Sequence, residues 1–166
     1  SVAQSISRDR IRIVDSLQVS MGLGLLALRC AEMARDGLDM ERVAGRAREL
    51  VPRLKLVGVL QTLEYARRGG RVSGAVARVG ALLNIKLVFE IRKGLVEVIR
   101  HVRSTPKARE KLVETVREWG PAQALALVHV NAPGTLDLLT EDLADHYPMA
   151  DAIRAEAGPT IAAHAG

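Results

Sequence analysis

Two glycines at the start of a predicted helix are the first residues whose spacing suggests chemistry. The run from Gly22 to Ala27 reads G-L-G-L-L-A and matches the G-x-G-x-x-A pattern of dinucleotide-binding turns. Such a turn follows its strand at once and precedes a second strand, whereas here several residues intervene and a second helix follows. Because a helix N-terminus favours anions, these glycines would let an anionic head group approach the backbone amides. A dinucleotide-binding domain remains an alternative function.

A cluster of arginines around Gly69 and Gly70 suggests phosphate or RNA contact. Arg67, Arg68 and Arg71 surround the glycine pair, and the formal net charge of the chain is +5. The cluster occurs once, between structured segments, unlike the repeated basic motifs of disordered RNA-binding tails. Arginines near the carbonyls of a helix end are the simpler interpretation. A basic nucleic-acid or scaffold module is the second alternative.

Residue types for autonomous catalysis are sparse. The four histidines lack metal-ligand spacing, and neither a G-x-S-x-G elbow nor a P-loop lysine occurs. Cys30 is the only cysteine, so neither an intrachain disulfide nor a thiolate cluster can form. The sequence therefore predicts no catalytic residue, no metal site and a cytoplasmic location.

Composition narrows the class of partner. Hydrophobic residues make up 48% of the 166-residue chain and aromatic residues only 2%. The core is thus predicted to be aliphatic, and platforms for stacking bases are few, which argues against a nucleic-acid partner. No stretch approaches the roughly 20 apolar residues that span a bilayer, so no integral membrane segment is expected.

Hydrophobic periodicity predicts a mixed α/β domain. A hairpin from Ile85 to Arg103 turns at Lys93 and Gly94. Further strands are predicted over 10–16, 54–60, 124–130 and 159–164, and helices over 20–37, 40–50, 62–69, 73–83, 105–119, 133–146 and 149–156. A hairpin combined with helical crossovers favours a mostly antiparallel or mixed sheet with helices packed on it.

The order of motifs resembles the DegV family of bacterial fatty-acid-binding proteins. The segment from Asp15 to Gly24 is similar to the family's D-S-x-x-x-S-x-G-x-G, and the segment from Thr62 to Lys86 to its T-L-x-Y-L-x-x-G-G-R-I and L-L-x-I-K-P. Val102 and Arg103 match K-V-R, and the segment from Gly158 to Gly166 resembles G-P-V-I-G-x-H-x-G-P-G. Departures include Leu87 for the usual proline and His101 for a lysine.

The resemblance implies the second domain of the DegV fold, in the downstream part of a longer protein. Residues 1–16 are then the end of a truncated upstream domain, and residues 17–166 are the lipid-tail-binding domain. The upstream domain, which in the family grips the fatty-acid carboxylate, is expected to be missing.

The resemblance also implies a function and a site. Family members hold a long-chain fatty acid and present its carboxylate to a separate ATP-binding kinase subunit, a step in phospholipid metabolism that the carrier does not catalyse. By similarity, Arg103 and His164 lie near the acyl head group, and Ser20 and Gly22 line the same end. Arg71 is assigned to kinase or phosphate contact. No cofactor is implied.

Small residues in the predicted helix 73–83 have two interpretations. Gly74, Ala75, Ala77, Gly80 and Ala81 keep this helix slim. A slim helix leaves room for an acyl chain beside it, as an apolar ligand slot requires, or permits close packing of helix on sheet. The residues alone favour neither interpretation.

Overall fold

The chain divides into two compact units. The computed structural model describes residues 9–60 and 85–165, with the side chains of residues 9–60 and 85–163. Unit 1 is Ser1–Lys55 and unit 2 is Leu56–Gly166. The predicted helices over 62–69 and 73–83 lie outside the described residues, and the predicted domain boundary at residue 16 stays a prediction.

Unit 1 contains two helices that pack against each other. Helix α1 is Ser20–Arg35 and helix α2 is Met40–Leu50, as the periodicity predicts, and a short 3₁₀ turn, Val51–Arg53, follows. Gly37, two residues after the end of α1, has a φ of 89° in the left-handed region and terminates the helix. The amides of Gly37 and Leu38 donate to the carbonyl oxygens of Ala34 and Met33. The Asp39 carboxylate then accepts from the Arg42 amide at 2.9 Å and begins α2.

The strand predicted over 10–16 is wrong. Residues 11–19 form an irregular segment with no strand beside it among the described residues, and nearby side chains accept from two of its amides. The Leu17 amide donates to Asp15 Oδ1 at 2.9 Å, and the Gln18 amide donates to Ser16 Oγ at 3.2 Å. Leu17 has a φ of 51°, which ends any extended run there.

Unit 2 begins with a three-stranded antiparallel sheet. Its strands are β1, Val57–Leu60, β2, Lys86–Arg92, and β3, Leu95–Val102, in the order β1-β2-β3. The predicted hairpin is confirmed, while the predicted strand over 54–60 is shortened to its last four residues. Lys93 and Gly94, with φ of 50° and 79°, make the tight turn that matches the twist of the flanking strands.

A helix covers this sheet and builds the core. Helix α3, Thr105–Glu118, packs against all three strands, and Ala108 and Val113 are among its buried residues. A bulge opposite Val88 and Phe89 interrupts the register of β2 and β3. Val88 is fully buried. The aliphatic sheet core predicted from composition is confirmed.

The last part of unit 2, the final segment, is a single strand-helix-strand motif followed by a short helix. Strand β4, Ala126–His129, leads to helix α4, Pro133–Leu143; a 3₁₀ turn, Met149–Asp151, strand β5, Ile153–Glu156, and helix α5, Pro159–Ala165, follow. Strands β4 and β5 pair in parallel. The strand over 124–130 and the helix over 133–146 are thus predicted correctly except at their ends.

Two predictions for the final segment are wrong. Residues 149–156 were expected to be a helix, but Ile153 and Ala155 alternate with exposed Arg154 and Glu156 and pair with β4. Residues 159–164 were expected to be a strand and are helical, because Pro159 presets the first helical position and Gly158 O accepts from the amides of Ile161 and Ala162. The sheets together confirm the mixed α/β class.

A single aromatic residue in the segment after α4 forms hydrogen bonds to the end of α3. Tyr147 belongs to the main core cluster of unit 2 and is 5% exposed. Its hydroxyl lies 2.8 Å from the carbonyl oxygens of both Val116 and Gly120, so its one proton is shared between two acceptors at the end of α3. Burial raises the pKa of Tyr147.

Replacing Tyr147 with phenylalanine should lower the free energy of unfolding by about 1–2 kcal/mol, since a buried hydrogen bond is lost. Urea denaturation followed by Trp119 fluorescence measures this. Because the pKa is raised on folding, the unfolded chain releases the proton first. The contribution is full below about pH 10 and is lost as pH rises through the folded-state value. A phenylalanine variant with the same stability loss above pH 10 would contradict the assignment.

Candidate functional site

The N-terminus of α1 carries two predicted site residues. Ser20 begins the helix with a φ of 51°, and Val19 before it is extended. Gly22 is buried and its amide donates to Val19 O at 3.1 Å. Ser20 and Gly22 are therefore brought together on the first turn of one helix, as predicted.

Gln18 is a polar residue in this region that the sequence patterns do not single out. Its Nε2 donates to the carbonyl oxygen of Leu54 at 3.3 Å, which joins the entry of α1 to the segment after α2. Its Oε1 is buried and has no hydrogen-bond partner within residues 9–60 and 85–163. The same oxygen lies 2.8 Å from the point where a Cβ on Gly22 would stand. A Cβ at residue 22 would therefore displace Gln18, four residues earlier. The bond from Gln18 to Leu54 is long-range, which explains why motif spacing alone does not reveal Gln18.

Two glycine-to-alanine changes give a matched comparison within unit 1. In Gly22→Ala the new methyl group meets Gln18, and in Gly45→Ala on α2 it meets nothing within 4 Å. Alanine should stabilise α2 by about 0.5–1 kcal/mol at position 45, because it loses less backbone freedom than glycine on folding. At position 22 displacement of Gln18 offsets that gain, and we expect this variant to be about 1–3 kcal/mol less stable than Gly45→Ala. Equal urea midpoints would contradict the contact.

Helix α1 also exposes large apolar side chains. Leu23 is 48% exposed and Leu28 is 47% exposed, whereas Leu26 is buried. Aliphatic side chains are costly in water, at about 25 cal/mol per Å² of apolar surface. The two leucines point about 140° apart around the helix, and burial of either one against an apolar ligand or protein surface would be stabilising.

Arg103 lies between β3 and α3 in unit 2. It is exposed, and within the described part of unit 2 its guanidinium has no ion-pair partner. Ser104, the residue that precedes α3, makes no side-chain capping bond. This position leaves the Arg103 guanidinium free to approach an anion at the helix entry.

The other predicted residues are placed only in part. The backbone of His164 lies in α5, where a strand was predicted, and its side chain is outside the described residues. Arg71 and the whole glycine-arginine cluster are also outside them. The assignment of Ser20, Gly22, Arg103 and His164 to one ligand stays a prediction, as does the contact role of Arg71.

The dinucleotide-binding interpretation loses its structural context. Gly22 and Gly24 both lie inside α1, and no strand precedes them within residues 9–19. A dinucleotide fingerprint requires the glycines in the turn between a strand and a helix. The G-L-G-L-L-A run is therefore part of a helix and not a phosphate-binding turn.

A cleft of about 420 Å³ opens at the surface of unit 2. Its lining is largely charged and comprises Glu90, Arg92, Ile99, Arg100, Lys111, Thr115 and Glu118. Ion pairs join Arg92 to Glu90 at 2.6 Å and Lys111 to Glu114 at 2.8 Å. The Lys111 ammonium holds the pKa of Glu114 below its ordinary value. Such a mixed-charge lining does not suit a long acyl chain.

Across the described ranges 9–60 and 85–163, no group of three or more His, Cys, Asp or Glu side chains comes close enough to hold a metal ion. Among the helices in the described part of the chain, none combines the length and apolar character needed to cross a membrane.

The chain resembles known proteins along its whole length. A DegV domain-containing protein of Caldanaerobacter subterraneus is 29% identical over 164 residues, which are 97% of this chain and 59% of that protein. The solved structure of a fatty-acid-binding DegV family protein from Thermus thermophilus is 32% identical in sequence, with a TM-score of 0.78. The match covers 99% of this chain. The Streptococcus pneumoniae fatty acid kinase B3 protein, loaded with linoleic acid, has a TM-score of 0.86 at 22% identity, a likeness in fold.

These proteins are longer than this chain, which spans 59% of the Caldanaerobacter protein and 60% of each of the two solved chains. The family model that describes uncharacterised proteins of the DegV family matches residues 1–166. The matched range includes α1, the hairpin and the final segment, whose sequence motifs predicted membership of this family. The chain belongs to the DegV family.

Proposed function

We propose that the protein containing this chain is a cytoplasmic, non-catalytic carrier that binds a long-chain fatty acid and presents its carboxylate to a separate ATP-binding kinase subunit. The observation that carries the proposal is the family match over all 166 residues, together with fatty acid binding by the Thermus relative. The motifs around Arg71 and Arg103 support the kinase step, since they are similar to the family's at both positions.

The apolar part of the ligand accounts for most of the expected affinity. A sixteen-carbon tail gains about 0.8 kcal/mol for each buried CH₂, on the order of 12 kcal/mol before the costs of ordering. Either Leu23 or Leu28, which point to different sides of α1, is a suitable contact for such a tail, because each leaves apolar surface in water.

The charged end of the ligand requires donors. In the proposed kinase reaction a carboxylate oxygen attacks the γ-phosphorus of ATP; a new P–O bond forms, the bond between the β- and γ-phosphates breaks, and ADP leaves. Arg103 is the proposed donor to the carboxylate and then to the acyl phosphate, whose charge it partly neutralises. His164 is proposed as a second donor. No residue of this chain has to gain or lose a proton.

The test uses the full gene product and an odd-chain probe, heptadecanoic acid, which is distinct in mass from even-chain host lipids. Native mass spectrometry should show one bound acid per chain. Addition of an ATP-binding fatty acid kinase subunit and ATP should then give an acyl phosphate, which hydroxylamine traps as a hydroxamate. Absence of bound acid would overturn the carrier role, and bound acid without hydroxamate would overturn only the presentation step.

Arg71 is proposed to face the kinase subunit or the transferred phosphate. Arg71→Glu should leave heptadecanoic acid bound while it slows hydroxamate formation, because a reversed charge opposes approach of an anionic group. Arg48→Glu on α2 is the charge-matched control, since Arg48 is exposed and lies on another element. Equal rates for the Arg71 variant and this control would remove the assignment.

A further inference from the structure

His129 accepts hydrogen bonds from two turns of the final segment, through two different atoms. Its Nδ1 accepts from the amide of Ala132 at 3.1 Å, in the turn between β4 and α4. Its carbonyl oxygen accepts from the amide of Ala157 at 2.8 Å, in the turn between β5 and α5. His129 is the last residue of β4, so both turns leave the sheet at the carboxyl edge of the parallel pair.

The bond to Ala132 defines the state of the imidazole. A ring nitrogen that accepts a hydrogen bond carries no proton, so the neutral ring carries its proton on Nε2. The bond closes an unusual turn: Asn131 has a φ of 48° and Ala132 has φ of −143° and ψ of 56° before Pro133. Neither residue is in a regular conformation, and within the described turn the imidazole supplies the side-chain bond that holds it.

The second turn leads directly into α5. Ala157 is followed by Gly158, whose carbonyl accepts from the amides of Ile161 at 3.0 Å and Ala162 at 3.2 Å. The carbonyl of the last residue of β4 therefore anchors the residue that precedes this turn. His164, which the family motif assigns to the head group, lies on this short helix.

We infer that His129 is a positioning residue for carboxylate presentation: its imidazole fixes the turn from β4 to α4, and this turn orients the peptide whose carbonyl oxygen accepts from Ala157 before α5. The inference rests on the proposed carrier function. His129 touches neither the ligand nor the kinase in this scheme; it acts through the β5–α5 turn.

Two conservative replacements separate this role from others. The amide oxygen of Asn in His129→Asn can stand where Nδ1 stands and accept from Ala132, whereas Gln in His129→Gln places its amide nearer the position of Nε2. We expect the Asn variant to retain wild-type amide protection at residues 132, 157, 161 and 162, and the Gln variant to exchange these amides faster. In the kinase assay the Gln variant should raise KM for the loaded carrier by at least about threefold, with kcat unchanged and heptadecanoic acid still bound.

A spectroscopic measurement checks the starting geometry. Nitrogen shifts of ¹⁵N-histidine-labelled wild type should show His129 as the neutral Nε2–H tautomer, and a proton on Nδ1 would overturn the inference. Wild-type exchange and KM in the Gln variant would also overturn it. If the wild type binds heptadecanoic acid but gives no hydroxamate, the presentation step has failed independently. Faster exchange without a KM change would reduce His129 to a purely structural bond and would likewise overturn the inference.

Discussion

Leu143→Ala is expected to lower the free energy of unfolding of unit 2 by about 2–5 kcal/mol, the range for a buried leucine truncated to alanine. Leu143 is fully buried in the cluster formed with Val113, Val116, Leu136 and Tyr147. The lost methyl groups leave a cavity that the neighbouring helices fill only partly, because α3 and strand β4 fix its walls. Urea unfolding monitored by Trp119, the only tryptophan and a residue at the edge of this cluster, measures the change.

Leu138→Ala is the matched control for this prediction. Leu138 lies on the same helix, α4, but is 43% exposed. Its replacement removes the same atoms from a site that water already reaches, so the unfolding free energy should change by no more than about 0.5 kcal/mol. If both variants lost the same stability, helix propensity and not core packing would determine the stability of α4.

Local signals explain the parts of the fold that the sequence predicts. The turn at Lys93 and Gly94 requires left-handed φ values, and alternating runs on both sides define the hairpin. Helices α1 and α3 are long enough for their apolar periodicity to be clear. The stop signal at Gly37 and the start signal at Pro106 agree with that periodicity. In these elements the information is contained within a few neighbouring residues.

Short elements depend on partners that are distant in the sequence. Residues 153–156 are a strand because β4 pairs with them, and 159–164 are a helix because Gly158 and Pro159 begin one. Each segment is too short for its apolar pattern to distinguish a strand from a helix. The segment 10–16 alternates like a strand, but Asp15 and Ser16 bind the following amides and no strand lies beside it among the described residues.

The candidate site shows the same division. Ser20, Gly22 and Arg103 were predicted because motifs surround them, and the described structure places each at the end of an element. Gln18 and His129 carry no motif of their own: their roles depend on Leu54, far along the chain, and on Ala157, on the neighbouring strand's exit. Contacts of this kind follow from tertiary packing, which spacing in one sequence does not encode.

Arg103→Ala is expected to lower kinase-dependent hydroxamate formation by about tenfold or more while heptadecanoic acid stays bound. The expectation follows from the exposed guanidinium at the entry of α3, because a charge-assisted bond to a carboxylate or phosphate is commonly worth a tenfold change in an equilibrium or rate. Arg103→Lys keeps the charge but loses the forked donor geometry, so it should restore only part of the rate.

Occupancy and rate must be measured on the same preparation, because they separate two roles of Arg103. Loss of both in Arg103→Ala would assign the guanidinium to binding of the free acid, and loss of rate alone would assign it to the acyl phosphate or to the kinase contact. Arg48→Ala on α2 removes an equal charge from another element and should leave both values unchanged. Wild-type rate and occupancy in Arg103→Ala would exclude this residue from the head-group site and leave His164 as the proposed donor in unit 2.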